Sequence, residues 1–138
     1  MTTASFHFSL ATPEKVLLDQ EVRMVVIPGI KGDIGVLKDH APLMTLLRPG
    51  VITIYEETTS PLKIFVEGGF VNITPEKCVA LVPAGMPLEV LDKHALEVEI
   101  KSLLETIDKS GTADERKKVS QNLTIAQTKL MEVLASVK

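Results

Sequence analysis

The sequence predicts a mainly β fold with a helical tail: an antiparallel β-sandwich or barrel over residues 1–87, then an antiparallel two-helix hairpin over residues 88–138. Three observations predict it. Short runs of alternating character, rich in β-branched and aromatic residues, fill the chain from Ser5 to about Pro87. Turn-forming clusters separate those runs at close intervals, and no helix-length pattern lies between them, which disfavours a parallel α/β fold. After Met86-Pro87 the apolar period changes from two residues to three or four.

The strand runs come in order. Phe6, Phe8 and Leu10 alternate with His7 and Ser9. Val22, Met24 and Val26 alternate with Arg23, Val25 and Ile27, so both faces there are fairly apolar. Val51, Thr53 and Tyr55 alternate with Ile52 and Ile54, and Leu62, Ile64 and Val66 with Lys63, Phe65 and Glu67. FVNI (70–73) and CVALV (78–82) follow. The expected turns are Thr12-Pro13-Glu14-Lys15, Pro28-Gly29, Pro49-Gly50, Ser60-Pro61, Gly68-Gly69 and Thr74-Pro75-Glu76-Lys77.

In the tail, Leu96, Ile100, Leu103, Leu104 and Ile107 share one helix face, with Asp92 as the N-cap. Lys109-Ser110-Gly111-Thr112 breaks the pattern. Thr112 and Glu115 make a T-x-x-E capping box, so a second helix starts there. Its stripe is Val119, Leu123, Ala126, Leu130, Val133 or Leu134, and Val137. Each helix is apolar on one face only, so each supplies much of the other's partner. The second helix is the more basic, with Arg116, Lys117, Lys118, Lys129 and Lys138 against Asp114, Glu115 and Glu132. Such a run is either a solvated face or a segment that reaches an acidic partner.

Bulk properties exclude several functions. At 138 residues the chain holds one ordinary domain, or a small domain with an appendage. A net charge of −3 gives no general attraction to nucleic acid or anionic lipid. Aromatics at 4%, with no Trp, leave few platforms for stacking bases or sugars. The one cysteine, Cys78, sits in a strand run and reads as a small buried hydrophobe in a reducing compartment. The N-terminal MTTASFHFSL lacks the pattern of a signal peptide, and no stretch approaches the ~20 apolar residues that span a bilayer.

Catalytic chemistry finds little footing. His7, His40 and His94 are far apart and lack metal-ligand spacing. No P-loop is present. GIKGDIG lacks dinucleotide-binding spacing and no helix follows it, so no cofactor is expected. His40, with Asp39 beside it and Asp33 nearby, is the one candidate acid or base; either carboxylate would favour its charged form. Its place just before Ala41-Pro42 points instead to an exposed turn. The stretch GDIGVLKDHAPLMTLLRPG (32–50) therefore reads as a shaped surface held by Gly and Pro.

That stretch closely resembles the signature of the epsilon subunits of F-type ATP synthases (called delta in mitochondria), G-x-φ-G-φ-L-x-x-H-x-P-φ-φ-x-x-φ-x-P-G, where φ is apolar. SPLKIFVEGGFVNITPEKCVALV (60–82) is similar to the family's second half, and order and length agree over almost the whole chain. The resemblance implies a flattened sandwich of two five-stranded sheets, about ten strands. It implies a non-catalytic rotor subunit that binds gamma and the polar loops of the c-ring, ATP being made on the alpha and beta subunits. It implies a peripheral position on the cytoplasmic face of a bacterial cell membrane, held by other subunits without insertion.

By the same resemblance Lys31, Gly32, Asp33, His40 and Pro42 fall at the tip that meets the c-ring, whose loops carry an arginine suited to Asp33. The C-terminal hairpin extends along gamma in many bacterial members and hinders ATP hydrolysis. Arg116, Lys117, Lys118 and Lys129 would then meet acidic residues of the beta subunits. Some members bind ATP there through [IL]-D-x-x-R-A, but Leu91-Asp92-Lys93-His94-Ala95-Leu96 has Ala95 where the Arg belongs, so no nucleotide is expected. Two other readings stay open. One is a β-sandwich binding module with a helical dimerisation tail, the other an enzyme using His40.

Overall fold

The computed structural model describes residues 5–56, 60–109 and 111–136. The chain divides between Pro87 and Leu88 into two compact units. The first holds β1 (Phe6–Ala11), β2 (Val16–Val22), β3 (Met24–Gly29), β4 (Gly32–Val36), β5 (Leu43–Tyr55), β6 (Leu62–Ile73), β7 (Lys77–Leu81) and β8 (Gly85–Pro87). They hydrogen-bond in the order β2-β1-β7-β6-β5-β3-β4, with β8 on β6. The sheet does not close, so β2 and β4 are edges.

Two strands do double duty. β5 and β6 pair in one register from Leu43 opposite Ile73 to Ile54 opposite Leu62. Yet the core takes Leu47 from the first half of β5 and Ile52 and Ile54 from the second, which is the other parity. On β6 it takes Ile64 and Val66, then Val71 and Ile73. Both strands therefore turn their core face over at Pro49-Gly50 and Gly68-Gly69 as they pass between layers. Counted by halves, the strands of the described residues make two layers of five. One is β2, β1 and β7 with the second half of β6 and the first half of β5; the other is β8, the remaining halves, β3 and β4.

Three expectations change in detail. Pro49-Gly50 and Gly68-Gly69 are bends inside strands, because the ladder runs through them. Pro28-Gly29 lies within β3; the chain reverses one step later, at Ile30-Lys31, between Gly29 and its partner Gly32. Although the sheet is otherwise antiparallel, β1 and β7 run parallel. No short turn joins these two, so nothing forces them antiparallel.

The two Thr-Pro-Glu-Lys segments do form turns, and by the same bonds. The Thr12 N–H reaches the Lys15 carbonyl at 2.9 Å, and the Thr74 N–H reaches that of Lys77 at 2.8 Å. Each Thr hydroxyl accepts the Lys N–H, at 3.3 and 3.2 Å. Inside, Phe8, Leu10, Ile27, Ile52, Ile54, Val71 and Ile73 are fully buried in one core built only from first-unit residues. Cys78 is among them, and burial pushes its thiol up to about 12, so it is an inert filler.

On the outer side of β1, His7 lies between two carboxylates of edge strand β2. Asp19 bonds one ring nitrogen and Glu21 the other, the latter at 3.1 Å. Lys77 of β7 is the register partner on its other side. The bonds from Asp19, then Glu21, hold the His7 pKa above its ordinary value near 6.5. A pKa raised in the fold means that the clamp's contribution is complete below the unfolded-state value and fades as pH rises through the folded one. Amide-exchange protection of β2, corrected for intrinsic rate, therefore drops as pH crosses the His7 midpoint, and His7→Gln removes that step.

The second unit holds one 3-10 turn, Leu88–Val90, then α1 (Lys93–Lys109) and α2 (Ala113–Ser136). Asp92 caps α1, its carboxylate accepting the His94 N–H at 3.0 Å. The Thr112 hydroxyl accepts the Glu115 N–H at 3.1 Å and starts α2. Leu96, Ala126 and Val133 are buried, while Ile100, Leu103, Ile107, Val119, Leu123 and Leu130 are partly covered. Leu104 and Leu134 are exposed, so the stripe takes Val133 and is narrower than expected. Ser110, Val137 and Lys138 lie outside the described residues.

Candidate functional site

The tight turn at Ile30-Lys31 carries β4 back along β3 and places Lys31, Gly32, Asp33 and Ile34 opposite Leu43, Met44 and Thr45 of β5. Together they line an open groove of about 410 Å³. Three of the five residues expected at the tip thus meet in one place. His40 and Pro42 do not line it. They sit in the β4–β5 connection, beside Leu43, which does.

Asp33 is already engaged. Arg48 of β5 reaches its carboxylate at 2.5 Å and donates a second bond to the Gly29 carbonyl at 2.5 Å. Sequence reasoning missed Arg48, because only folding brings it to a partner fifteen residues away. The two side chains are 42% and 63% exposed, so the ion pair itself is worth ~0–1 kcal/mol. Its value is geometric: it ties the β3–β4 turn to β5. Lys31 is exposed and makes no ion pair among the described residues.

His40 takes no carboxylate partner among the described residues. Its Nδ1–H donates to the Ala41 carbonyl at 2.6 Å, and its backbone N–H closes the turn on Leu37 at 3.2 Å. Asp39 has a φ of 67° and donates its N–H to the Pro75 carbonyl at 2.8 Å. That bond fastens the loop to the second Thr-Pro-Glu-Lys turn. The residues around His40 build a shaped loop. No cluster of three or more His, Cys, Asp or Glu side chains among the described residues is arranged for a metal.

The outer face of the first layer carries a second feature. Val16, Ala11, Leu81, Phe70 and Leu46 are successive cross-strand neighbours on β2, β1, β7, β6 and β5. The Ile30 N–H bonds the Leu46 carbonyl at 2.9 Å and extends the row into the β3–β4 turn. Its large members are 40–61% exposed, and Met44, two residues along the same face, is 67% exposed. Beside Phe70 and Leu81 opens a hollow of about 510 Å³ walled by Pro13, Gly69, Val82 and Pro83. A contiguous apolar row with an apolar socket marks a contact surface, for a protein, a ligand or a membrane.

In the second unit Arg116, Lys117 and Lys118 stand exposed at the start of α2. Lys129 is partly covered three turns on, and eleven residues from Lys118 returns it to nearly the same helix face. Val98, Leu104, Met131 and Leu134 are exposed apolar side chains on the same two helices.

Known proteins resemble this chain in sequence and fold. Residues 5–86 match the family described as "ATP synthase, Delta/Epsilon chain, beta-sandwich domain". The ATP synthase epsilon chain of Rhodospirillum centenum is 40% identical over 135 residues, covering 94% of this chain and 92% of that one. That of Parvibaculum lavamentivorans is 38% identical over 117 residues, covering 85% and 89%. A chain in the mitochondrial ATP synthase of Euglena gracilis superposes with a TM-score of 0.83 at 21% identity, over 95% of this chain and 82% of that one, and so shares the fold. From the match over the sandwich and the identities over nearly the whole length, the chain belongs to the ATP synthase epsilon-chain family.

Proposed function

We propose that the chain is a non-catalytic rotor subunit of a proton-translocating ATP synthase, joining gamma to the c-ring so that proton flow drives synthesis on the alpha and beta subunits. It is peripheral, on the cytoplasmic face of a bacterial cell membrane; no helix among the described residues is long and apolar enough to cross one. The observation that carries the reading is the apolar row on the outer sheet face, which supplies a surface for gamma. The groove at Lys31, Gly32 and Asp33, with the His40–Pro42 loop beside it, supplies the c-ring contact.

Magnitudes favour dividing the work this way. One exposed ion pair at the tip contributes ~0–1 kcal/mol. Covering each large side chain of the row contributes ~1.5–3 kcal/mol. Torque is therefore held by the apolar flank, and the polar tip sets direction and register. Leu46→Asp puts a charge between Phe70 and Ile30, at the β5 end of the row, on an exposed site that tolerates it in the free chain. Its affinity for gamma falls at least ~10-fold, since 1.4 kcal/mol is one decade. Unchanged affinity in a titration calorimeter would move the gamma surface elsewhere.

The hairpin is the regulatory part. Extended, α1 and α2 would run ~25 and ~36 Å at 1.5 Å per residue, with Arg116, Lys117, Lys118 and Lys129 toward acidic residues of the beta subunits. The exposed Val98, Leu104, Met131 and Leu134 give gamma an apolar edge to take hold of.

A further inference from the structure

We infer that the partner loop entering the groove presents a carboxylate to Lys31, and that Asp33 serves to position Arg48 instead of binding the partner's charge. This rests on reading the groove as the c-ring contact and names the sign of the group that enters it. The charges on its walls are Lys31 and Asp33, with Arg48 behind them. Arg48 and Asp33 face each other at 2.5 Å and cancel. The second Arg48 bond, to the Gly29 carbonyl at 2.5 Å, anchors that guanidinium to the backbone of β3, so the pair is fixed at both ends.

What remains is one positive charge. Lys31 stands at the apex of the turn, exposed and without an ion-pair partner among the described residues. Among the described residues no other carboxylate lines the groove. Leu43, Met44 and Ile34 give it an apolar floor, and Thr45 a hydroxyl. A short loop fits this pattern if it carries a carboxylate for Lys31 and lays an aliphatic segment over Leu43 and Met44. An incoming arginine fits worse. It would pass Lys31 and Arg48, two like charges, and then break one charge-assisted bond at Asp33 to make another.

The test uses the full chain and an ATP synthase complex depleted of this subunit, in two arms. In the first, Lys31→Cys in the reassembled complex is treated with a short bifunctional reagent. The chain's own Cys78 is buried and stays silent. Cross-linking to a c-ring loop is expected; its absence sinks the groove as the c-ring contact, and this inference with it. In the second arm, variants compete with the unaltered chain for the depleted complex. Lys31→Glu sets like charges together and weakens rebinding about tenfold. Asp33→Asn keeps an oxygen for Arg48, removes a negative charge, and tightens rebinding modestly. A cross-link combined with an unaffected Lys31→Glu, or with a tenfold loss in Asp33→Asn, overturns the assignment of sign while leaving the c-ring contact in place.

Discussion

Gly69→Ala destabilises the sandwich by at least ~3 kcal/mol, whereas Gly68→Ala next to it costs only ~1–3 kcal/mol. The two glycines share a backbone region closed to side chains, with φ of 118° and 102°. They differ in what surrounds them. A Cβ at Gly69 would lie 2.2 Å from the Leu81 carbonyl oxygen and 2.9 Å from the Val82 Cα, both rigid backbone. At Gly68 the nearest atom is 3.5 Å away, so only the dihedral strain applies. The clash falls where β6 passes from one layer to the other against β7, and relieving it means separating those strands. Urea unfolding of the two variants reads the difference as a shift in midpoint. Equal midpoints would mean that the layers are not held as tightly at this crossing as the pairing indicates.

Ending the chain after Pro87 leaves assembly intact and raises ATP hydrolysis severalfold. The first half of this expectation rests on the core, which is assembled from Phe6 to Val82 with no described residue of the hairpin. The second half rests on exchange. Separating α1 from α2 exposes the apolar stripe they share at ~1.5–3 kcal/mol per side chain, so extension occurs only when gamma covers it again. Two nearly equal apolar partners leave a small balance, and ~5.5 kcal/mol of differential binding carries a population from 1:99 to 99:1. Steady-state hydrolysis by complexes rebuilt with the full and the shortened chain measures it. Identical rates would make the hairpin a brace instead of a brake.

Much of the architecture was legible in the sequence, because it depends on local pattern. Alternation marked β1, most of β3, the second half of β5 and both halves of β6, while the first half of β5 passed as part of a shaped surface; the change of period marked both helices. The Asp92 and Thr112 caps are short-range chemistry and appear as expected. β2 was not recognised as a strand, since VLLDQEV alternates weakly at an open edge, and β8 is only three residues long. Pro49-Gly50 and Gly68-Gly69 carry turn composition, and composition alone does not separate a turn from a bend within a paired strand.

The site was legible only in part, for a related reason. Lys31, Gly32 and Asp33 are consecutive, and their motif brought them forward. Arg48 was invisible as their companion because its partners, Gly29 and Asp33, meet it across strands. The apolar row draws Val16, Ala11, Leu81, Phe70 and Leu46 from five strands, one residue each. Within each strand that residue reads as an ordinary outward position. Only the register aligns them.

On the proposed function, this chain is held by the shaft along its apolar flank and by the ring at its tip, and does no chemistry of its own. Affinity capture with a tagged, otherwise unaltered chain from solubilised ATP synthase tests it most directly. Gamma and the c-ring are expected to be retained together, and purified gamma alone to bind at a one-to-one ratio. A chain that leaves gamma unbound at every concentration, while forming dimers through its helices or turning over a substrate through His40, would contradict it.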